Sequence, residues 1–177
     1  MLRSKALMIF AILCGIIMQN NYLKWCADKN KGIKLVSPSV NLVRAYLEKS
    51  RTAIKSMELN ANAGITEWAV SASYYARYFV VYALMAKIGV KCEIHDCTIA
   101  LFAYLFKNSV PRNFIKEFKQ SKDDRVDMQY YPKEIKINTE RLTCQTKSFV
   151  LEIEEMIDGL NTEKIAALQN RVRGAIF

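Results

Sequence analysis

Apolar residues along this chain recur three and four positions apart, and glycine and proline are scarce and sit mostly where the resulting blocks end. Ser37-Pro38 reads as an N-cap followed by proline at the first helical position. It opens the segment SVNLVRAYLEKSRTAIKSMEL, in which Leu42, Val43, Tyr46, Leu47, Ile54 and Met57 step at helical intervals. Gly64 closes the connection. From Ile65 to Ile88 there is neither glycine nor proline, and Gly89 follows as a C-terminal cap. Within that block RYFVVYAL has the β-branched and aromatic flavour of a strand. The block is several times longer than a typical strand of about 5–6 residues, and Trp68, Ala72, Tyr75, Phe79, Ala83 and Ala86 form one helical stripe, so helix is predicted. A third helix is expected over 92–108 and a fourth over 111–131, between Pro111 and Pro132. A fifth runs from Thr139 to Asp158, ended by Gly159, and a sixth from Thr162 to Ile176, capped by Asn161 or Thr162. No convincing period-two alternation is left over. The pattern predicts an all-α fold, an antiparallel up-and-down bundle of five to six helices with short connections.

The second of these helices is crowded with rings. Tyr75, Phe79, Ala72 and Ala76 fall on one side of it, and Tyr74, Tyr78, Val81, Tyr82 and Met85 on another. A helix apolar nearly all round is buried nearly all round. In a chain of this size that predicts a central bundle position plus a second surface, a homodimer interface through Tyr74, Tyr78 and Tyr82. Tyrosine suits an interface because its ring packs while its hydroxyl reaches the wet rim. Arg77, set among the rings, is expected at that rim or across the interface.

Composition narrows the class. With 177 residues, 51% of them hydrophobic and 24% charged, the chain is long enough for one domain with a real core. The net charge of +9 is unevenly placed: residues 18–55 and 107–147 are basic, and 148–177 are acidic. Such asymmetry favours a polyanionic or acidic partner, nucleic acid first, although a basic surface that is merely solvated fits the charge as well. The five cysteines, Cys14, Cys26, Cys92, Cys97 and Cys144, show no CxxC spacing, and His95 is the single histidine. No metal site or cofactor is expected from them. Free, mostly buried thiols in a reducing cytosol are the expectation, hence a cytoplasmic protein.

The N-terminus divides off. Two basic residues precede an apolar run from Ala6 to Met18, shorter than the about 20 residues a membrane helix needs. Three readings stay open: translation starting at Met18 with 1–17 as an extension, membrane association through residues 6–17, and a cleaved signal peptide. The domain itself is assigned to 18–177.

At this point the chain resembles a known family. WAVSASYYARYFVVYALMAKIGVKCEIHDCTIALFAYLF is similar to the second and third helices of small stand-alone archaeal and bacterial HEPN-domain proteins. YLKWCADKNKGIKLVSPSVNLVRAYLEKSRTAI is similar to their opening, and DDRVDMQYYP to their arginine–tyrosine segment in a later helix. The resemblance covers about residues 22–135. It implies a dimerising helical bundle that works with RNA or with a nucleotidyltransferase partner, in toxin–antitoxin or defence-type systems. Catalytic members carry an R-x(4-6)-H motif shared across the dimer, whereas many others have lost the chemistry.

This chain departs from that motif: Arg125 matches the arginine, but five residues later stands Tyr130. Attack by a ribose 2′-hydroxyl is helped by a group that exchanges a proton near pH 7. Histidine, with a pKa near 6.5, can do so, and tyrosine, near 10, cannot. Arginine still grips phosphate through its fork, and tyrosine still stacks on a base. The expectation is therefore a non-catalytic member that binds RNA or its partner through Arg125, Tyr130, Tyr131, Arg77 and His95. The alternative is a ribonuclease toxin with a rearranged site using His95. A histidine at a helix start has the ordinary reading of a capping or packing residue, and Asp123, Asp124 and Asp127 that of a solvated, self-paired face.

Overall fold

The computed structural model describes residues 18, 20–131 and 136–177. Segment 1–17, with its extension, anchor and signal readings, lies outside the described residues. Along the chain come α1 (20–28), β1 (Lys34–Leu35), α2 (Val40–Asn62), α3 (Thr66–Lys87), β2 (Val90–Lys91), α4 (His95–Phe106), α5 (Phe114–Tyr130), α6 (Thr139–Asp158) and α7 (Thr162–Ile176). The fold is the all-α bundle expected, with seven helices among the described residues rather than five to six, α1 being the addition, and with a short ribbon besides. Lys34 and Leu35 pair antiparallel with Lys91 and Val90, a ribbon too short to leave any alternation in the sequence.

Local chemistry sets the helix ends. Helix α2 is capped by Ser39 rather than Ser37: the Ser39 Oγ accepts from the Leu42 N–H at 3.3 Å, and Pro38 stands in the lead-in. Asn138 and Asn161 cap α6 and α7 in the same way, accepting from Arg141 N–H and Lys164 N–H. Gly64 and Gly89, which follow α2 and α3, both have φ of 73°, the left-handed region where a side chain is strained. At Gly89 a Cβ would also lie 2.5 Å from the Val36 carbonyl oxygen. That close approach lets the ribbon return across the end of α3.

Helix α3 is the centre of the bundle, packed by α2, α5 and α6. Its rings are covered within one protomer: Tyr74 is 0%, Tyr78 6% and Tyr82 7% exposed. Tyr46 of α2 lies 4.4 Å from Tyr82 by ring centroids, and Phe118 of α5 lies 6.2 Å from Tyr74. Tyr74, Tyr78 and Tyr82, the rings expected at an interface, are thus covered by their own chain. Arg77 is buried with them. It is 2% exposed rather than at a rim, its Nη1 donates to Ser73 Oγ at 2.6 Å, and Thr146 of α6 donates to the same oxygen at 3.1 Å. Burial brings its pKa down to about 10 against the opposing pull of Glu117 and Asp124. Phe102, Phe118 and Phe149 join α4, α5 and α6 in one ring cluster beneath. Each such buried ring contributes about 1.5–3 kcal/mol by removal from water, and cutting one to alanine costs about 3–5 kcal/mol.

Cys26 of α1 and Cys97 of α4 form a disulfide, with Cα atoms 5.7 Å apart. The expectation of uniformly free thiols is therefore wrong, and it no longer supports a reducing compartment. Helix α1 crosses the start of α4, a neighbourhood that spacing along the chain does not announce. Cys92 (buried) and Cys144 (exposed) carry free thiols. No described helix is long and apolar enough to cross a membrane.

Candidate functional site

Three helices converge on His95. It is the first residue of α4, placed by the ribbon against the middle of α3. Its ring stacks on Tyr78 at 4.1 Å with an interplanar angle of 20°, and its Nδ1 lies 2.5 Å from the Tyr74 hydroxyl. Tyr74 and Tyr78 are one helical turn apart, so both reach the same imidazole.

The electrostatics set the protonation of both partners of that bond. Burial first, and then neighbouring Tyr78, push the Tyr74 pKa far above its ordinary value, so the phenol keeps its proton. His95 is pushed the other way. Burial lowers its pKa most and Arg125 lowers it further, while Asp96 opposes. A neutral imidazole then faces a protonated phenol. With the Tyr74 O–H as donor to Nδ1, the ring's hydrogen lies on Nε2.

Arg125 comes from α5. Its guanidinium carbon is 5.3 Å from the Tyr75 ring and 5.9 Å from the Tyr74 ring, and its Nε is buried without a partner. Cations over such ring faces are held by the ring quadrupole. Lys122, a turn earlier on α5, forms an ion pair with Asp96 that ties α5 to the start of α4. Tyr22 of α1 borders the same group: burial raises its pKa, with Asp96 adding and Lys122 subtracting.

His95 and Arg125, far apart in sequence, thus meet around one tyrosine. Arg77 does not join them, being buried towards α6. Tyr130 and Tyr131 end α5 as largely exposed rings, 68% and 53%. Five residues of helix turn by about 500°, so Tyr130 leaves α5 on a different face from Arg125. Tyr74 as the partner of His95, and Lys122 with Asp96, were not anticipated. The i, i+4 pair of tyrosines was visible in the sequence, but only the return of the chain at Gly89 brings His95 to it. Among the described residues no group of three ligating side chains could hold a metal ion. The cluster offers a fork of N–H donors, an ammonium and an imidazole N–H, a set suited to an anion.

A family profile, that of the HEPN domain, matches residues 43–160, more than half of the chain. The span runs from within α2 through α6 and includes His95, Arg125, Tyr74, Tyr75 and Tyr78. Among curated proteins none matches the chain.

Proposed function

The chain belongs to the HEPN-domain family, and from that premise we propose that it is a non-catalytic member that binds RNA through Arg125, Lys122 and His95. The hydrogen bond from Tyr74 to His95 Nδ1 carries this reading. Cleavage without a metal needs an imidazole nitrogen free to take the 2′-hydroxyl proton. With the phenol as donor, one nitrogen is occupied and the other bears hydrogen. The ring donates rather than accepts, which favours holding a phosphate oxygen. Arg125 adds a planar fork matched to phosphate. Lys122 is held one turn away by Asp96.

Titration of a fluorescent single-stranded RNA tests this. Arg125→Ala is expected to weaken binding about tenfold or more, the size of a lost charged hydrogen bond. Lys164→Ala, on exposed α7, is expected to change it little. Equal affinity of parent and Arg125→Ala refutes the assignment. A homodimer, a nucleotidyltransferase partner and a toxin–antitoxin setting are further proposals of this reading, to be checked by light scattering and co-purification. One observation favours the ribonuclease reading: Arg125 and His95 lie against the same Tyr74 ring, an arginine–histidine pair assembled in space. It requires the imidazole to exchange its tautomer.

A further inference from the structure

Beyond Tyr75, away from His95, α2 and α3 enclose a groove of about 770 Å³. Its walls carry Trp68, Tyr75 and Phe79 from α3, and its floor is set by Ala72 and by Ala53 of α2. Trp68 is 54% exposed, and Tyr75 and Phe79 are partly so, stacked on each other at 5.7 Å. So much aromatic surface left in water along one line is unusual unless something covers it. Trp68 and Tyr75 are separated by about 10 Å along the helix axis, with the small side chains of Ser71 and Ala72 between them. A base with a ring on each face needs roughly 7 Å. Cations stand at both edges: Lys49 Nζ lies 5.4 Å from the Phe79 ring, and Arg125 lies 5.3 Å from Tyr75. Glu48 is the acidic side chain on the rim.

We propose that this groove takes the bases of a single-stranded RNA, stacked on Trp68, Tyr75 and Phe79, while the backbone is held at Arg125 and Lys49. The assignment rests on the RNA-binding reading and gives it a second, independent half. Rings supply stacking to any base, and flanking cations follow the phosphates, which is how single strands are held without sequence readout. A second copy of the chain fits less well. A two-fold interface sets a surface against itself, and two concave grooves face to face leave a void with Lys49 and Arg125 from both copies around it.

The test uses the full chain with Trp25→Phe, which leaves Trp68 as its sole tryptophan, since the sequence has two. Two strands of equal length and charge are titrated, one base-bearing RNA and one abasic. The base-bearing strand is expected to quench Trp68 fluorescence and to bind about tenfold tighter or more, the size of one base on one ring. Trp68→Ala is expected to remove that advantage while leaving abasic binding, and its dependence on Arg125, intact. Trp68 is surface-exposed, and circular dichroism of Trp68→Ala checks that the fold persists. Equal binding of the two strands, with Arg125 still needed, overturns the groove assignment and leaves the RNA reading standing. Absence of binding by either strand overturns both. Light scattering that finds a dimer which Trp68→Ala returns to monomer overturns the groove assignment in favour of a second copy.

Discussion

Replacing Tyr74 by phenylalanine removes one oxygen and leaves the ring packing unchanged. Only the hydrogen bond to His95 Nδ1, 2.5 Å long in the structure, is lost. Phenylalanine keeps the volume, so no cavity term arises, and the cost to stability is that of one hydrogen bond, about 0.5–1.5 kcal/mol. A bond of about 1 kcal/mol biases the two imidazole tautomers roughly fivefold towards hydrogen on Nε2. Long-range proton–nitrogen correlation NMR reads this directly, because the chain has a single histidine and the signals belong to it alone. In the parent, Nδ1 is expected to be the unprotonated, hydrogen-bonded nitrogen. In Tyr74→Phe its resonance is expected to move towards that of a free ring nitrogen. The histidine is also expected to titrate at higher pH, since the bond that favoured its neutral form is gone. A parent spectrum with hydrogen on Nδ1, or a titration unmoved by Tyr74→Phe, refutes the reasoning. His95 would then be free to act as a base.

Three other perturbations probe the frame around the site. Because burial and then Arg125 hold the His95 pKa below its ordinary value, the unfolded chain takes up the proton first as pH falls below about 6.5. The stability owed to neutral His95 is full above that pH and is lost on the way down to the folded pKa. The urea midpoint is expected to fall in that window, and His95→Gln is expected to flatten the fall. Cys26→Ser opens a disulfide with a sequence separation of 71. Chain entropy puts its cost at about 4 kcal/mol, checked by urea unfolding and by mass-spectrometric detection of the linked Cys26 and Cys97 peptides in the parent. Arg77→Met replaces a buried cation whose Nε lacks a partner with an apolar chain of similar length. It is expected to leave stability equal or higher by about 1 kcal/mol and RNA affinity unchanged, and a loss of affinity returns Arg77 to the binding site.

Much of the bundle was legible because its signals are local. Thr139–Asp158 and Thr162–Ile176 begin after capping asparagines, and their approximate bounds were readable from the sequence. Gly89, with its positive φ, marked the end of α3. Two kinds of information were not local. Whether a ring-covered helix is buried by its own chain or by a second copy depends on how α2, α5 and α6 wrap it, and here Tyr46 and Phe118 cover Tyr82 and Tyr74. Pairings across the fold, Cys26 with Cys97 and Tyr74 with His95, arise from where the ribbon and α1 return the chain. Arg125 and His95 were each identifiable by residue type. Their meeting around Tyr74 was not, because the linear motif that would have announced it is broken at Tyr130.

Incubation of labelled single-stranded RNA with saturating protein in the presence of a chelator tests binding without cleavage most directly. Denaturing gels of the parent and His95→Ala would be run side by side. The RNA is predicted to be retained by the parent and recovered at full length, with both proteins indistinguishable on the gel. Cleavage by the parent that His95→Ala abolishes would contradict this account and make His95 the base of an active ribonuclease.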